Sequence, residues 1–422
     1  MTERLRSASQ VTFRSLRTKN FRLFFLGQLV SQAGTWMQSV AIIWVVLDLT
    51  DTGFAVGLVT AAQFLPLLVL GAWTGVLADR FDRHRTLLAT QVAYAALAVA
   101  FSVISLTGSA TVGWMYGLSL AFGLITALDN PVRRVFVGEL VSRQDLPNAV
   151  GLNSAMMTGS RIFGPALAGA LIAGPGVEAC FVLNAVSYVA VIIALLRMDR
   201  AGFNSVATVV RAKGQIRSGL RYAWDSPDLR ASLLLVAVVG FAAFNFQVTL
   251  ALLAERTFHG SAGTYTLLFS VMSAGSMLGG LAVARSELVT MHNLVTAGFA
   301  LAASMVAMAL APTLWLAALF ALPTGYSSIY LVSGSNAVVQ LRAEPQMRGR
   351  VLALYAMLFL GTTPIGGPFI GWVADVTDAR VAVALGGVAS GLAALWTLRR
   401  VRAGARVDED EPTEVELDGV AA

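Results

Sequence analysis

Apolar residues gather into twelve stretches along this chain, each bounded by short clusters of charge, glycine, asparagine or proline. Read on hydropathy, they fall at about 21–47, 54–78, 86–107, 112–131, 149–174, 177–197, 229–254, 262–284, 289–310, 313–339, 350–374 and 379–398. A helix rising 1.5 Å per residue needs about 20 apolar residues to cross the hydrocarbon of a bilayer. Lipid offers no partner for backbone N–H and C=O groups, so runs of this length predict helices. The pattern therefore predicts an all-α membrane protein with twelve transmembrane helices. The first run is too long for a signal-peptide core and lacks a small-residue cleavage site, so it is expected to remain as a helix.

Composition agrees. Of 422 residues, 56% are hydrophobic and only 13% charged, with a mean hydropathy of +0.71. A soluble domain carries about 25% charge. If the N-terminus starts in the cytoplasm, 27 of the 30 Lys and Arg fall on the cytoplasmic side. The exceptions are Arg161 inside a span and Arg256 and Arg380 outside. The positive-inside rule thus predicts cytoplasmic termini and a multi-pass topology. The pI near 9.8 follows from that topology and calls for no nucleic-acid partner. The lone Cys180 has no partner for a disulfide and is expected to pack as a small apolar residue.

The only long connection, Met198 to Arg230, divides the spans six and six. This predicts a six-helix bundle over 1–197, a cytoplasmic linker over 198–230, a second bundle over 231–400, and an acidic disordered tail over 401–422. Within the linker, Ile216, Gly219, Leu220, Ala223 and Trp224 share a helical face, with Lys213, Arg217 and Arg221 beside it. That spacing reads as an amphipathic helix on the inner leaflet, or else as a solvated linker with a chance pattern. The halves echo each other. Gly159-x4-Gly164-Pro165-x3-Gly169 in span 5 matches Gly361-x4-Gly366-Gly367-Pro368-x2-Gly371 in span 11. Gly280-Leu-Ala-Val-Ala284-Arg285 is a worn copy of Gly75-Val-Leu-Ala-Asp79-Arg80, with the acid lost. Parallel repeats of this kind suit a transporter that rocks two halves about a central site.

The loop after span 2, Gly75-Val-Leu-Ala-Asp79-Arg80-Phe-Asp82-Arg83-His84-Arg85, resembles the cytoplasmic loop between helices 2 and 3 of the major facilitator superfamily. The resemblance extends through Phe25 to Trp36, Asp129-Asn130-Pro131-x-Arg133, Leu146-Pro-Asn148 to Pro165, and Arg348-Gly349-Arg350-Val351. Within that superfamily the chain is similar to the bacterial branch of enterobactin exporters and macrolide efflux proteins. The resemblance implies the major facilitator fold, two pseudo-symmetric six-helix bundles, in a bacterial inner membrane. It also implies export of a drug-like or siderophore-like molecule by a monomer, through proton antiport and alternating access. An importer or lipid flippase on the same fold, or a non-transporting sensor, are the other readings. No catalytic, phosphate-binding or metal-binding motif is present, so neither an enzyme nor a cofactor is expected.

Several residues are candidates for mechanism. Gly75, Asp79, Arg80, Arg83 and Asp129 form either a charge latch, by pairing of Asp79, Arg83 and Asp129 at the inner gate, or an ordinary topogenic turn. Arg161 lies deep in span 5, and an intramembrane cation must face the bundle interior and find a partner. It is either a functional cation or one tied permanently to backbone carbonyls. Gly164, Pro165, Gly367 and Pro368 are candidate hinges, because proline removes a helix donor. Asp129, with Asp48 and Glu255 as runners-up, is the proton-coupling candidate. His84, His259 and His292 are placed in loops, solvated. Gln28, Gln32, Trp36, Arg161, Asn245, Gln247, Tyr330 and Asn336 are the expected cargo path.

If the loop is a latch, Asp79→Asn inserts and folds normally yet slows turnover severely. Unchanged transport rates at normal expression would remove that role.

Overall fold

The computed structural model describes residues 13–78, 81–204, 215–286 and 288–410. Among the described residues, twelve helical spans are long and apolar enough to cross a membrane. In chain order these are α1 (Lys19–Thr50), α2 (Gly53–Ala78), α3 (Arg83–Leu106), α4 (Val112–Glu139), α5 (Leu146–Ala173) and α6 (Val177–Leu196). The second set is α7 (Pro227–Thr257), α8 (Ala262–Arg285), α9 (Met291–Leu310), α10 (Leu314–Arg342), α11 (Pro345–Val376) and α12 (Ala379–Asp410). With an even number of spans, residues 19 and 402 lie at one end of the bundle, here the terminal end.

Polar side chains set where several helices begin. Asp82, Thr111, Ser261, Thr290 and Thr313 each accept a first-turn backbone N–H at the start of α3, α4, α8, α9 and α10. These caps satisfy donors that a helix start leaves unpaired. At the close of α1, Asp51 adopts a left-handed φ of 51° and turns the chain into α2. Pro66, Pro131, Pro165, Pro323 and Pro368 all lie inside helices. α4 runs unbroken through Asn130-Pro131. Two spans are interrupted instead. α7 winds into π turns at Val239–Ala243 and Leu253–Thr257. α11 pauses at Gly361 and Thr362, just ahead of Gly367-Pro368. α12 stays helical to Asp410, past the expected start of the tail, and residues 411–422 lie outside the described set. Its Ala, Leu and Arg content favours helix.

In the first bundle α6 packs on α1 and α3, and α4 on α2. In the second, α10 lies against α8, and α12 against α9. The two bundles meet along two seams, α2 with α11 and α5 with α8. Exchanging the halves turns one seam into the other. The Gly-Pro helices α5 and α11 thus each supply one side of a seam. A Cβ at Gly57 would lie 2.5 Å from the Gly367 carbonyl oxygen, and one at Gly169 would lie 2.1 Å from Thr266 Oγ1. Such close approach, to backbone at Gly57 and to a side chain at Gly169, is what small residues permit between membrane helices. Both contacts sit toward the end opposite the termini.

The linker helix, Gln215–Asp225, divides the expected amphipathic face. Gly219 sits against Arg350 and Ala223 is buried, whereas Leu220 and Trp224 stay about half exposed. Arg350 donates to the Ser218 hydroxyl at 2.9 Å, and Glu344 N–H to the Tyr222 hydroxyl at 3.1 Å. The start of α11 competes for part of the face that amphipathicity assigns to lipid. Lys213 falls outside the described residues.

Gly57→Leu is expected to force α2 and α11 apart, toward the roughly 8–10 Å axis spacing of ordinary packed helices. Distances between spin labels at positions 54 and 376 would lengthen; an unchanged distance would show that the seam tolerates a side chain.

Candidate functional site

A cavity of about 170 Å³ opens among α1 to α7. α1 lines it with Ser31, Gln32, Thr35, Trp36, Gln38 and Ser39, and α2 with Gln63 and Phe64. Gln91 and Tyr94 come from α3, Thr126, Asn130 and Arg133 from α4, Met157 from α5 and Tyr188 from α6. From the second bundle Gln247 reaches in and donates to Ser39 Oγ at 2.9 Å. The wall is a mixture of amides, hydroxyls and aromatic rings. Tyr94 and Tyr188 stack with centroids 5.4 Å apart; their hydroxyls bond Thr126 and Thr35, each at 2.9 Å. Asn184 donates to Gln38 at 2.8 Å. Inside a membrane such groups favour bonding one another, and these pairs do.

One buried ion pair closes the wall on the α3–α4 side. Asp129 is fully buried and lies 3.0 Å from Arg133 Nη2, one helical turn away. It also accepts from Thr90 at 2.7 Å and from Gln91 at 3.0 Å. Arg133 donates to Gln28 at 3.1 Å and to Asn130 at 3.0 Å. Each charge therefore has an opposite charge and neutral partners, which a low-dielectric site demands.

Arg161 is partnered differently. Its guanidinium stands over the Trp36 ring, 4.9 Å from the centroid. A Cβ at Gly164 would fall 2.5 Å from Trp36 Cβ and 2.7 Å from the Ala33 oxygen, so only glycine lets α5 come this close to α1. The tying of Arg161 to backbone carbonyls, one of the two readings open from sequence, has no counterpart among its contacts in the described residues. Pro165 stays within an unbroken helix.

At the end opposite the termini a polar clasp joins the bundles. The Asp375 carboxylate, on α11, accepts from Gly53 N–H at 2.6 Å and Phe54 N–H at 2.8 Å. It caps the positive start of α2, where an anion is favoured. Arg256 lies 2.9 Å from the same carboxylate and donates to the Asp51 carbonyl at 2.6 Å. Next to Arg256, partly buried Glu255 has an oxygen, Oε2, without a partner. Asp48 is exposed.

At the terminal end the structure separates two members of the expected charge latch, Arg83 and Asp129. Arg83 pairs with Glu139 at the end of α4. Asp129 contacts α3 at Gln91, eight residues or about 12 Å deeper along the helix, so Arg83 and Asp129 belong to separate clusters. Gly75 lies on α2, while Asp79 and Arg80 fall outside the described residues. His84 is not a solvated loop residue. It is buried at the start of α3, 2.9 Å from the Leu195 carbonyl and 3.0 Å from Arg200 Nη2. Arg can only donate and a carbonyl only accept, so this geometry assigns Nδ1 as acceptor and the proton to Nε2. His292 lies in the first turn of α9 and His259 in the turn before α8.

Of the expected cargo path, Gln32, Trp36 and Gln247 line the cavity, and Gln28 and Arg161 sit one contact behind it. Asn245 lies apart, buried against Gly366 and donating to the Phe241 carbonyl at 2.6 Å. Tyr330 stacks on Tyr326 with centroids 6.0 Å apart, and Asn336 bonds Gln340; neither lines the cavity. Gln63, Gln91, Tyr94, Tyr188 and the Asp375–Arg256 clasp were not anticipated. An isolated amide within an apolar run was the signal available for Gln63 and Gln91. For Asp375 the sequence offers only an acid near a span end.

The family model described as "Transmembrane secretion effector" matches residues 10–416. The staphyloferrin A transporter of Staphylococcus aureus is 22% identical, over 84% of this chain and 89% of its own. The multidrug efflux pump Tap of Mycolicibacterium fortuitum is 26% identical, over 84% of this chain and 88% of its own. Among solved structures, an occupied, inward-facing bacterial homologue of the lysosomal transporter Spinster superposes with a TM-score of 0.71 at 14% identity. That alignment covers 92% of this chain and 97% of the other. At that identity the likeness concerns the fold.

For the buried pair, Asp129→Ala is expected to cost about 3–5 kcal/mol, because Arg133 is left buried without its anion. The double change with Arg133→Ala should recover much of this in thermal unfolding. Additive losses would show that the two charges are not coupled.

Proposed function

The chain belongs to the transmembrane secretion effector family within the major facilitator superfamily, and from that membership we propose that it is a proton-coupled exporter of a drug-like or siderophore-like molecule. It works as a monomer in a bacterial inner membrane, with both termini in the cytoplasm. The observation that carries this reading is the cavity. Polar and aromatic groups from the first bundle and Gln247 from the second surround one space in an otherwise apolar body. A wall of amides, hydroxyls and rings suits a large amphiphile better than a sugar or phosphate. The printed roles of the two relatives, a siderophore transporter and a multidrug pump, point to the same cargo range.

Alternating access would use the two seams. In the state described, Asp375, Gly53 and Arg256 join the bundles on what this orientation makes the outer face. Cargo then loads from the cytoplasmic side. Rocking about Gly164-Pro165 and Gly367-Pro368 would part that clasp and bring the loop of Gly75, Asp79, Arg80 and Arg83 into use as the inner lock. Asp129 is the proposed proton carrier. Protonation removes the negative charge that Arg133 faces at 3.0 Å, which frees the guanidinium and loosens its hold on Gln28 and Asn130. Glu255, with its unpaired oxygen beside the clasp, is the second candidate.

Proteoliposomes loaded with a pH-sensitive dye test the reading. A drug or siderophore from a panel should evoke proton movement, and Asp129→Asn should keep binding while reducing that movement at least tenfold. Binding without proton flux in the unaltered protein would overturn proton-coupled export.

A further inference from the structure

The charges beside the cavity do not balance. Asp129 is the acid in its wall region, and Arg133 already matches it at 3.0 Å; Thr90 and Gln91 bond the other carboxylate oxygen, and Gln28 and Asn130 accept from Arg133. Arg161 is left over. Among the described residues neither a carboxylate nor a hydrogen-bond acceptor serves its guanidinium, whose one described partner is the face of Trp36. It is the sixteenth residue of α5, about 22 Å along a helix of 28 residues, so it sits near mid-membrane. A cation there needs an anion or a polar cavity.

The location says where that anion would come from. Trp36 lines the cavity, and so does Met157, one turn before Arg161 on the same face of α5. Trp36 also approaches Phe269 of α8, centroids 6.2 Å apart, so the guanidinium stands where both bundles meet. It stands one contact behind the cavity wall, on the lining residue Trp36, so a turn of its side chain past that ring would bring it to an occupant. Trp36, Phe64 and Phe122 offer apolar and aromatic surface alongside. Resting on the reading of this cavity as the transport site, we propose that the cargo is an amphiphilic organic acid whose carboxylate replaces or joins Trp36 as the partner of Arg161. A planar guanidinium takes a carboxylate through two parallel hydrogen bonds. A cationic amphiphile meets the reverse: its one candidate counter-ion, Asp129, is already bound to Arg133. The net positive surroundings of the cavity therefore select the acidic members of the drug-like and siderophore-like range.

Three matched fluorescent probes separate the charge from the apolar body: 11-(dansylamino)undecanoic acid, its carboxamide, and the corresponding terminal amine. Purified full-length protein in phosphatidylcholine nanodiscs should bind the acid at least about tenfold more tightly than the amide, and the amine more weakly still. Arg161→Gln should erase the advantage of the acid while leaving amide affinity unchanged, which also reports that the fold is intact. Arg161→Lys should retain part of the preference, and serves if the Gln variant does not fold. Equal binding of acid and amide, preference for the amine, or binding of none would overturn the proposal. So would a preference that survives Arg161→Gln. Loss of acid binding when phosphatidylglycerol is added would make the anion a lipid headgroup and overturn the cargo assignment. The measurement is made at equilibrium without a gradient. Failure of proton-coupled export therefore leaves it standing, and its own failure leaves export untouched.

Discussion

Hydrocarbon supplies no hydrogen-bond partner, and the arrangement of this protein follows from that single deficit. Each amide, hydroxyl and charge carried into the membrane must find a partner within the chain or border a polar space. The partners found here converge on one region. Gln28, Gln91 and Asn130 gather about Asp129 and Arg133, while Thr35, Thr126, Tyr94 and Tyr188 close a second network beside them. A cavity bounded by these groups is thus the place where polar side chains are least costly to keep. The lipid-facing surfaces are left apolar, as exposed Leu26, Trp73 and Val186 illustrate.

The same deficit shapes how the halves touch. Lipid chains are as apolar as leucine, so helix association in a membrane rests on close packing and on polar contacts. The two seams show both. Gly57 against Gly367 brings backbones together, and Asp375 caps the first N–H groups of α2. Packing of this kind has no tolerance for a side chain but little covalent or ionic cost to part. A clasp made of three hydrogen bonds between the bundles and the ion pairs of Arg256 with Asp375 and Asp51 can close one end of the bundle without making closure permanent.

Much of the architecture was legible along the chain. Twelve apolar runs, their charge asymmetry and the repeated Gly-Pro motifs predict the span number and the two halves. Gln32 and Trp36 were legible as cavity residues because they share a helical face, and Arg161, one contact behind Trp36, because a cation has few reasons to lie inside an apolar run. Pairing was not legible. Arg83 faces Glu139 rather than Asp129 because depth along α3, invisible in a loop motif, keeps those groups apart. His84 reads as one more charge-cluster residue, yet it is buried between α6 and Arg200. Asn245, Tyr330 and Asn336 are polar and lie in the right spans, but the rotation of α7 and α10 turns them to other neighbours.

By itself, then, the sequence determined the solvent in which this protein lives, the number of times it crosses that solvent, and the asymmetry of charge between its faces. Those properties follow from local hydropathy summed over about 20 residues, which needs no knowledge of neighbours. Only the tertiary structure decided which charges are matched. Arg133 and Arg161 are the same residue type in the same half, but Arg133 lies about 9 Å from the terminal end of α4 and Arg161 about 22 Å from that end of α5. Among the described residues one meets Asp129 and the other a tryptophan ring, because helix rotation and depth place a carboxylate beside the first and none beside the second.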